Sequence, residues 1–422
     1  MLKTIVIFLL IFSIIVVYHE FGHYYCAKKA GIRVREFALG MGPKLFAKQD
    51  KSGTTYTVRM LPLGGYVRLA GLNEEDGIEP GMQVGLILNE QNIVTGINLS
   101  DKNAPEELPV QVDEAELIDK MMIRALPIGQ ETMVTYQVDP NAFITEADGT
   151  KVLVSPRATR YESATPWNKI KTNIAGPVNN FILAIVGFMI VALISGGVVS
   201  DTSIIGEVSA DSPAATAGLI AGDRITKFGD QTINNWNELA MAIQANPGKT
   251  IPIEYQRDNQ IQTSQITVSK VKDEESGQTF GQIGIIRSYD TSIKSRLLFG
   301  FSQTWAVITM VISTILGMFK RGFDVNQFGG PVAMAQMTNT VVQYGALTVI
   351  SFMSMLSANL GIMNLLPIPA LDGGKIILNI YEAIRGKPLA QEKEGIITLI
   401  GVAILFILMI VVTWNDIMRA FF

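Results

Sequence analysis

The chain contains two histidines, and both stand in one short run, His19-Glu20-Phe21-Gly22-His23. On a helix, positions four apart share a face, so the two imidazoles can offer nitrogens to one metal ion while Glu20 lies beside them. That donor set suits a hydrolytic zinc centre, in which the metal acidifies water and the glutamate moves its proton. The run closes an apolar stretch that begins at Thr4. Ionisable groups at membrane depth are costly and mark function more often than packing.

The rest of the composition agrees with a membrane setting. Across 422 residues, 48% are hydrophobic and only 17% charged, which reads as a polytopic membrane protein. Net charge is −4 with both signs mixed, so nothing points to a nucleic-acid partner. The single cysteine, Cys26, excludes an internal disulfide framework. One turn beyond His23, it is either a third metal ligand or a small apolar residue on the span. The start of the chain mimics a secretory signal, but no small-x-small site closes the apolar run, and Lys28 and Lys29 come only after the motif. Thr4 to Ala27 therefore reads as an uncleaved span, with the motif roughly 10 Å from the lysines.

The elements that must position the motif follow in order. Residues 1–30 form the first span. Between Lys28 and Arg68 there are nine Lys or Arg against two acidic residues, which places this side in the cytoplasm and the N-terminus outside. Residues 31–72 read as a membrane-associated β region, with strands at Thr54 to Arg59 and Gly65 to Leu69. Its edge either holds an extended substrate or plugs the membrane surface. Residues 73–165 read as an acidic, β-rich cytoplasmic insertion, opening with Glu74, Glu75 and Asp76 and carrying strand-like pieces at Glu131 to Val138 and Lys151 to Ser155. Residues 166–200 hold the second span, Val178 to Val199, preceded by a Gly176-Pro177 breaker. Asn179 and Asn180 open it and need partners, on a neighbouring span or on a substrate. Residues 201–290 contain Ser212-Pro213-Ala214-Ala215-Thr216-Ala217-Gly218-Leu219 and Gly222-Asp223-Arg224-Ile225, which resembles the loop-helix-turn-strand signature of PDZ domains, here extracytoplasmic. Residues 291–343 read as interfacial helices. Phe299 to Phe319 is interrupted by Ser302, Gln303, Thr304, Thr309, Ser313 and Thr314, and a crossing there would carry Asp372 to the face opposite His23. Residues 344–394 hold the third span, Ala346 to Leu366, and residues 395–422 the fourth, leaving the C-terminus outside.

Catalytic zinc usually takes three protein ligands, and no third histidine exists. Asp372, in Pro367-Ile368-Pro369-Ala370-Leu371-Asp372-Gly373-Gly374, is brought by the third span to the depth of the histidine pair. The alternative is that Asp372 caps the helix beginning near Gly373.

These motifs, with Arg35 to Pro43 and Leu63 to Arg68, resemble the site-2 protease family of intramembrane zinc metalloproteases along most of the chain. The insertion and the run from Leu366 to Lys375 are most similar to its Gram-positive, pheromone-processing branch. The resemblance implies a polytopic α-helical protein with four transmembrane helices, a membrane-associated β-sheet and an extracytoplasmic PDZ domain, in a bacterial plasma membrane with both termini outside. It implies one catalytic Zn2+ on His19, His23 and Asp372, Glu20 as base, and Asn364 with Pro369 near the substrate strand. It further implies a monomer whose substrates are membrane-spanning segments already trimmed outside, such as anti-sigma factors and signal-peptide remnants. One PDZ domain stands here where Gram-negative relatives have two in tandem. Two rival readings remain at this stage: a catalytically idle scaffold that binds chain ends through its PDZ domain, and a membrane-anchored enzyme that cuts soluble peptides.

Overall fold

Helix α1, Leu2–Lys29, runs unbroken through the apolar stretch and ends on Lys28 and Lys29. A helix pairs its own backbone groups, the requirement for any segment immersed in lipid. The computed structural model describes residues 2–50, 52–72, 78–100, 106–272, 278–322 and 324–421, so Glu74, Glu75 and Asp76 lie outside the described residues. The chain divides into two units, Met1–Gly187 with Gln303–Phe422, and Phe188–Ser302.

In the first unit, β1 (Val34–Gln49) and β2 (Thr55–Leu69) follow α1. The two short strands expected between Thr54 and Leu69 are one long strand that wraps β1. Residues 36–39 pair with 55–58 on one side and with 65–68 on the other, and 44–49 pair with 55–59. Gly40 and Gly42, at φ +86° and +81°, supply the left-handed backbone at the fold-back. Glu36, 1% exposed, anchors the wrap by accepting from Arg59 Nη2 at 2.7 Å, from Tyr66 Oη at 2.9 Å and from Thr57 Oγ1. Burial and the Glu36 charge push the Tyr66 hydroxyl up to about 12.

Six strands come next: β3 (Gln83–Leu88), β4 (Val94–Asn98), β5 (Leu108–Glu116), β6 (Met122–Pro127), β7 (Val134–Thr145) and β8 (Lys151–Leu153). Their order is β4-β3-β5-β6-β7-β8, and β4 also pairs in parallel with β7. Five strands thus close a small barrel, removing its edges, around a core that includes Leu86, Ile97, Val110 and Ile123. The barrel is fastened to the wrapped strands: Lys44 Nζ donates to Thr150 Oγ1 at 2.9 Å, and Arg68 pairs with Glu146 at 2.7 Å.

Helix α2, Pro166–Ile194, corrects the expected break at Gly176-Pro177, because the helix starts earlier and runs through both residues. A proline inside a membrane helix removes one ladder bond, and polar groups of neighbouring helices can satisfy the loosened turn.

The second unit carries β9 (Val198–Val199), β10 (Ile205–Val208), α3 (Pro213–Thr216), β11 (Arg224–Phe228), β12 (Gln231–Thr232), α4 (Trp236–Gln244), β13 (Thr250–Arg257), β14 (Gln260–Thr267), β15 (Ser269–Lys272), β16 (Thr279–Gln282), β17 (Ile285–Arg287) and β18 (Tyr289–Asp290). One sheet has the order β12-β11-β13-β14, and β10–β17, β15–β16 and β9–β18 are separate pairs. Ser212 and Asn235 cap α3 and α4 by accepting the backbone N–H groups of Ala215 and Glu238. Leu219, Ile225, Leu239, Ile253 and Ile266 fill the core between them.

Five further helices complete the chain: α5 (Ile293–Arg321), α6 (Pro331–Gln343), α7 (Ala346–Leu365), α8 (Asp372–Arg385) and α9 (Gln391–Phe421). Among the described residues five helices, α1, α2, α5, α7 and α9, are long and apolar enough to cross a membrane, and the chain is a multi-pass membrane protein. The hydroxyls that interrupt α5 fold back on their own helix: Thr309 Oγ1 donates to the Trp305 carbonyl at 3.0 Å and Ser313 Oγ to that of Met310 at 2.8 Å. Within the first unit, α6 packs on α1, α7 and α9. Thr4 Oγ1 donates to Asn339 Oδ1 at 3.0 Å, and Asp416 Oδ2 accepts the Ala333 N–H at 3.0 Å, supplying the cap that Gly330 lacks.

Arg59→Met would leave the Glu36 carboxylate buried without its cation. The expected loss is about 3–5 kcal/mol, read as a lower thermal midpoint in detergent, with Leu86→Ala in the barrel core as a size reference at about 2–5 kcal/mol.

Candidate metal centre

His19 and His23 lie on the buried face of α1, four residues apart. The third group arrives from the connection between α7 and α8. Ala370 there takes a left-handed φ of +81°, a strained state for a residue with a Cβ, and α8 begins at Asp372. A methyl group on Gly373 would overlap the Leu365 and Leu366 carbonyls, and one on Gly374 would overlap that of Ile368, so the tight turn requires the glycine pair. The residue at the N-cap of α8 is Leu371, whose side chain cannot cap. The Asp372 carboxylate faces the histidines instead.

His19 Nε2 and His23 Nε2 are 3.2 Å apart, and Asp372 Oδ2 lies 3.2 Å from the first and 3.4 Å from the second. A tetrahedral zinc with bonds of about 2.0–2.1 Å sets its ligand atoms about 3.3 Å apart. All three residues are buried. The second ring nitrogens fix which atoms face inward. His23 Nδ1 is 2.8 Å from the Thr172 carbonyl, which can only accept, so Nδ1 carries the proton and Nε2 is bare. His19 Nδ1 is 3.1 Å from Asn180 Nδ2, and Asn180 Oδ1 is buried without a partner. Zinc on His19 Nε2 would leave a proton on Nδ1, and the amide would then present Oδ1 to it. Asp372 Oδ2 accepts no hydrogen bond. With the amide so turned, lone pairs of His19, His23 and Asp372 converge on one buried point and fit a divalent cation.

Helix α2 closes the centre from the other side. Gly176 faces the two imidazoles so closely that a Cβ would overlap His23 Nε2, which is why a helix with ordinary side chains cannot stand there. Asn179 Nδ2 donates to the Tyr18 carbonyl at 2.8 Å, and the Asn180 carbonyl accepts from Ser357 Oγ of α7 at 2.8 Å. Of the two partners considered for this asparagine pair, the neighbouring span is the one present, together with His19 itself. Glu20 is part-buried on the position after His19. Asn364 and Pro369 are part-buried on the segment that delivers Asp372. Cys26 stays outside the three-atom cluster, as the reading of a small residue on the span expects.

A second polar group, unforeseen from the sequence, ties α8 to α2. Lys169 Nζ pairs with Glu382 at 2.8 Å, and the Tyr161 hydroxyl accepts from Asn173 at 2.7 Å and from Asn379 at 3.0 Å. Lys169 is 2% exposed. These contacts hold the helix that begins with Asp372 against the helix that supplies Thr172, Gly176 and Asn180. The signal available in sequence was polarity itself: Lys169 and Asn173 enter an apolar span.

Gly176→Ala should reduce the zinc content of purified protein from about one per chain to background while helix content stays unchanged by circular dichroism. Full zinc in that variant would contradict the packing described. Lys169→Met strands the Glu382 charge, and about 3–5 kcal/mol of stability should go with it. A chelator should also strip zinc faster from this variant, whereas Lys169→Met with Glu382→Leu should regain most of the stability.

The model described as Peptidase family M50 matches residues 7–408. The chain is similar to the Enterococcus faecalis protein named "Probable protease eep", at 44% identity over 425 residues, covering 100% of each chain. It is also similar to a Streptococcus pyogenes protein named a zinc metalloprotease, at 45% identity over 99% of each chain. A solved PDZ domain of an SdrC-like protein from Listeria monocytogenes is 26% identical, covers 21% of this chain and 90% of its own, and has a TM-score of 0.18.

Proposed function

The chain belongs to peptidase family M50, the site-2 proteases, and is a zinc metalloprotease; on that premise we propose that it cuts membrane-spanning segments at the centre formed by His19, His23 and Asp372. The observation that carries the proposal is the convergence of three metal-ligating atoms, at tetrahedral spacing, among helices apolar enough to lie in lipid.

When bound, zinc supplies a Lewis acid for the scissile carbonyl and lowers the pKa of water to near neutrality. Glu20 accepts the proton of the attacking water and delivers it to the leaving amine. Thr172 and Asn180 hold the two imidazoles with Nε2 inward. A substrate helix has its carbonyls paired, so it must unwind before a peptide bond can reach the centre. The segment 65–69 of β2 supports a place for the unwound strand: it is paired on one side with 34–39, and its Gly65 lies against Val16, one turn from His19. Asn364 and Pro369 are assigned to the same substrate path.

Within the first unit, the path of the chain favours four crossings. Helix α9 starts beside Lys169 and Glu382, which share a cavity wall with Glu394, and ends at Asp416 against α6. Helix α6 meets the start of α1 at Thr4, so it lies at the face away from the centre. Helix α7 begins there and returns to the centre, while α2 leaves the centre for that same far face. An even number of crossings therefore separates α2 from α7. At 13 residues, α6 spans about 20 Å, too short to be the partner of a crossing by α5. We read α1, α2, α7 and α9 as the spans and α5 as interfacial. The cationic stretch from Lys28 to Arg68 then marks the cytoplasmic face, with both termini and a PDZ domain at 201–290 outside. Substrates of this reading are single spans already trimmed outside, such as anti-sigma factors and signal-peptide remnants.

Glu20→Gln should lower cleavage of a single-span reporter by about a hundred-fold to ten-thousand-fold while zinc content is retained. Undiminished cutting would remove Glu20 from the proton path.

A further inference from the structure

Helices α1 and α2 touch beside the centre, where a methyl group on Gly22 would overlap the Ala175 carbonyl. Around this contact the two helices bound a cavity of about 550 Å³ that reaches toward the lysine-bearing end of α1. Its walls are Phe21, Cys26 and Lys29 on α1, and Lys171, Ile174 and Val178 on α2. The spacing of 171, 174 and 178 is one helical stripe, cationic at one end and apolar at the other. Phe21, Ile174 and Val178 are 47%, 38% and 41% exposed, so the apolar part is open rather than packed.

The cationic end is unpaired. Among the described residues neither Lys29 nor Lys171 has a carboxylate partner, whereas Lys28 has Asp50 at 3.4 Å and Lys169 has Glu382 at 2.8 Å. Both lysines line the same cavity, so their charges meet there. Lys171 Nζ also sits 5.5 Å from the centre of the Trp167 ring. Lysine and tryptophan together mark the level of the membrane–water boundary. Two converging cations above an open apolar trough at that level call for an anion whose other end is apolar.

We propose that this cavity is a resident site for one anionic phospholipid, its phosphate between Lys29 and Lys171 and an acyl chain along Phe21, Ile174 and Val178. A soluble phosphate would satisfy the lysines and leave the trough in contact with bulk lipid. A zwitterionic lipid would bring a cation of its own to a site that already holds two. The Gly22–Ala175 contact forms part of the wall, so a seated chain buttresses the pair of helices that carries the metal centre.

The test uses the full chain in phosphatidylcholine nanodiscs, with and without phosphatidylglycerol. Cys26 is the only cysteine, so its alkylation rate by a small maleimide reports on the cavity directly. Phosphatidylglycerol should slow the reaction saturably, and native mass spectrometry should retain one such lipid per chain. Each of Lys29→Ser and Lys171→Ser should weaken that retention about five-fold, K29R/K171R should restore it, and Lys28→Ser should leave it unchanged. Equal protection by phosphatidylcholine alone would overturn the proposal, as would displacement of the lipid by millimolar inorganic phosphate. The wild-type protection experiment decides the matter even if a serine variant fails to fold.

Discussion

Three ligand atoms held 3.2–3.4 Å apart around one buried point repel one another unless a cation joins them. The rest of the first unit can be read as the apparatus that keeps them there. The Thr172 carbonyl fixes one tautomer, and Asn180 stands against the other ring. Gly176 clears the space and the Gly373-Gly374 turn delivers Asp372. Every one of these devices is backbone geometry or a second hydrogen bond, so the centre depends on the register of α2 and α8 as much as on its own three side chains. The Lys169–Glu382 pair and the Tyr161 hydroxyl set that register two to three turns away.

Several polar residues in the apolar helices are bonded to another helix or back to their own. Asn179 meets Tyr18, Ser357 meets Asn180, Asp416 meets Ala333, and the α5 hydroxyls meet α5 itself. Glu36 is satisfied in the same way in the wrapped β-strands. Lys29 and Lys171 share one cavity wall without a carboxylate, and an uncompensated pair of charges at an interface draws its compensation from the surroundings.

The His19–His23 spacing was legible because helical periodicity is local: four residues decide which side chains share a face. The expectation for Asp372 rested on something coarser, an assumed alternation of spans across hundreds of residues, and the structure brings its carboxylate to the histidine pair. The closure of the barrel by β4 and β7 was not legible, since the pairing of Val94 with Val138 leaves no mark on either neighbourhood. The same holds for β2, whose two expected strands share one partner from opposite sides. Gly176-Pro177 misled for a physical reason. In water that dipeptide ends a helix, whereas inside a bundle the lost ladder bond is tolerated and the missing Cβ makes room for the imidazoles. The clasp from Lys169 to Glu382 joins residues 213 positions apart and could be suspected only from its polarity.

The order of the ligands along the chain also has a consequence in time. His19 and His23 are made first, their support from Thr172 follows 149 positions after His23, and Asp372 comes only with the last helices. At about 5–20 residues per second, a ribosome needs roughly 20–70 s to pass from the histidine pair to the aspartate. Throughout that interval the nascent chain holds two imidazoles and no complete centre. On the proposed assignment of ligands, the centre stays incomplete until Asp372 has been made and the helix it opens has docked.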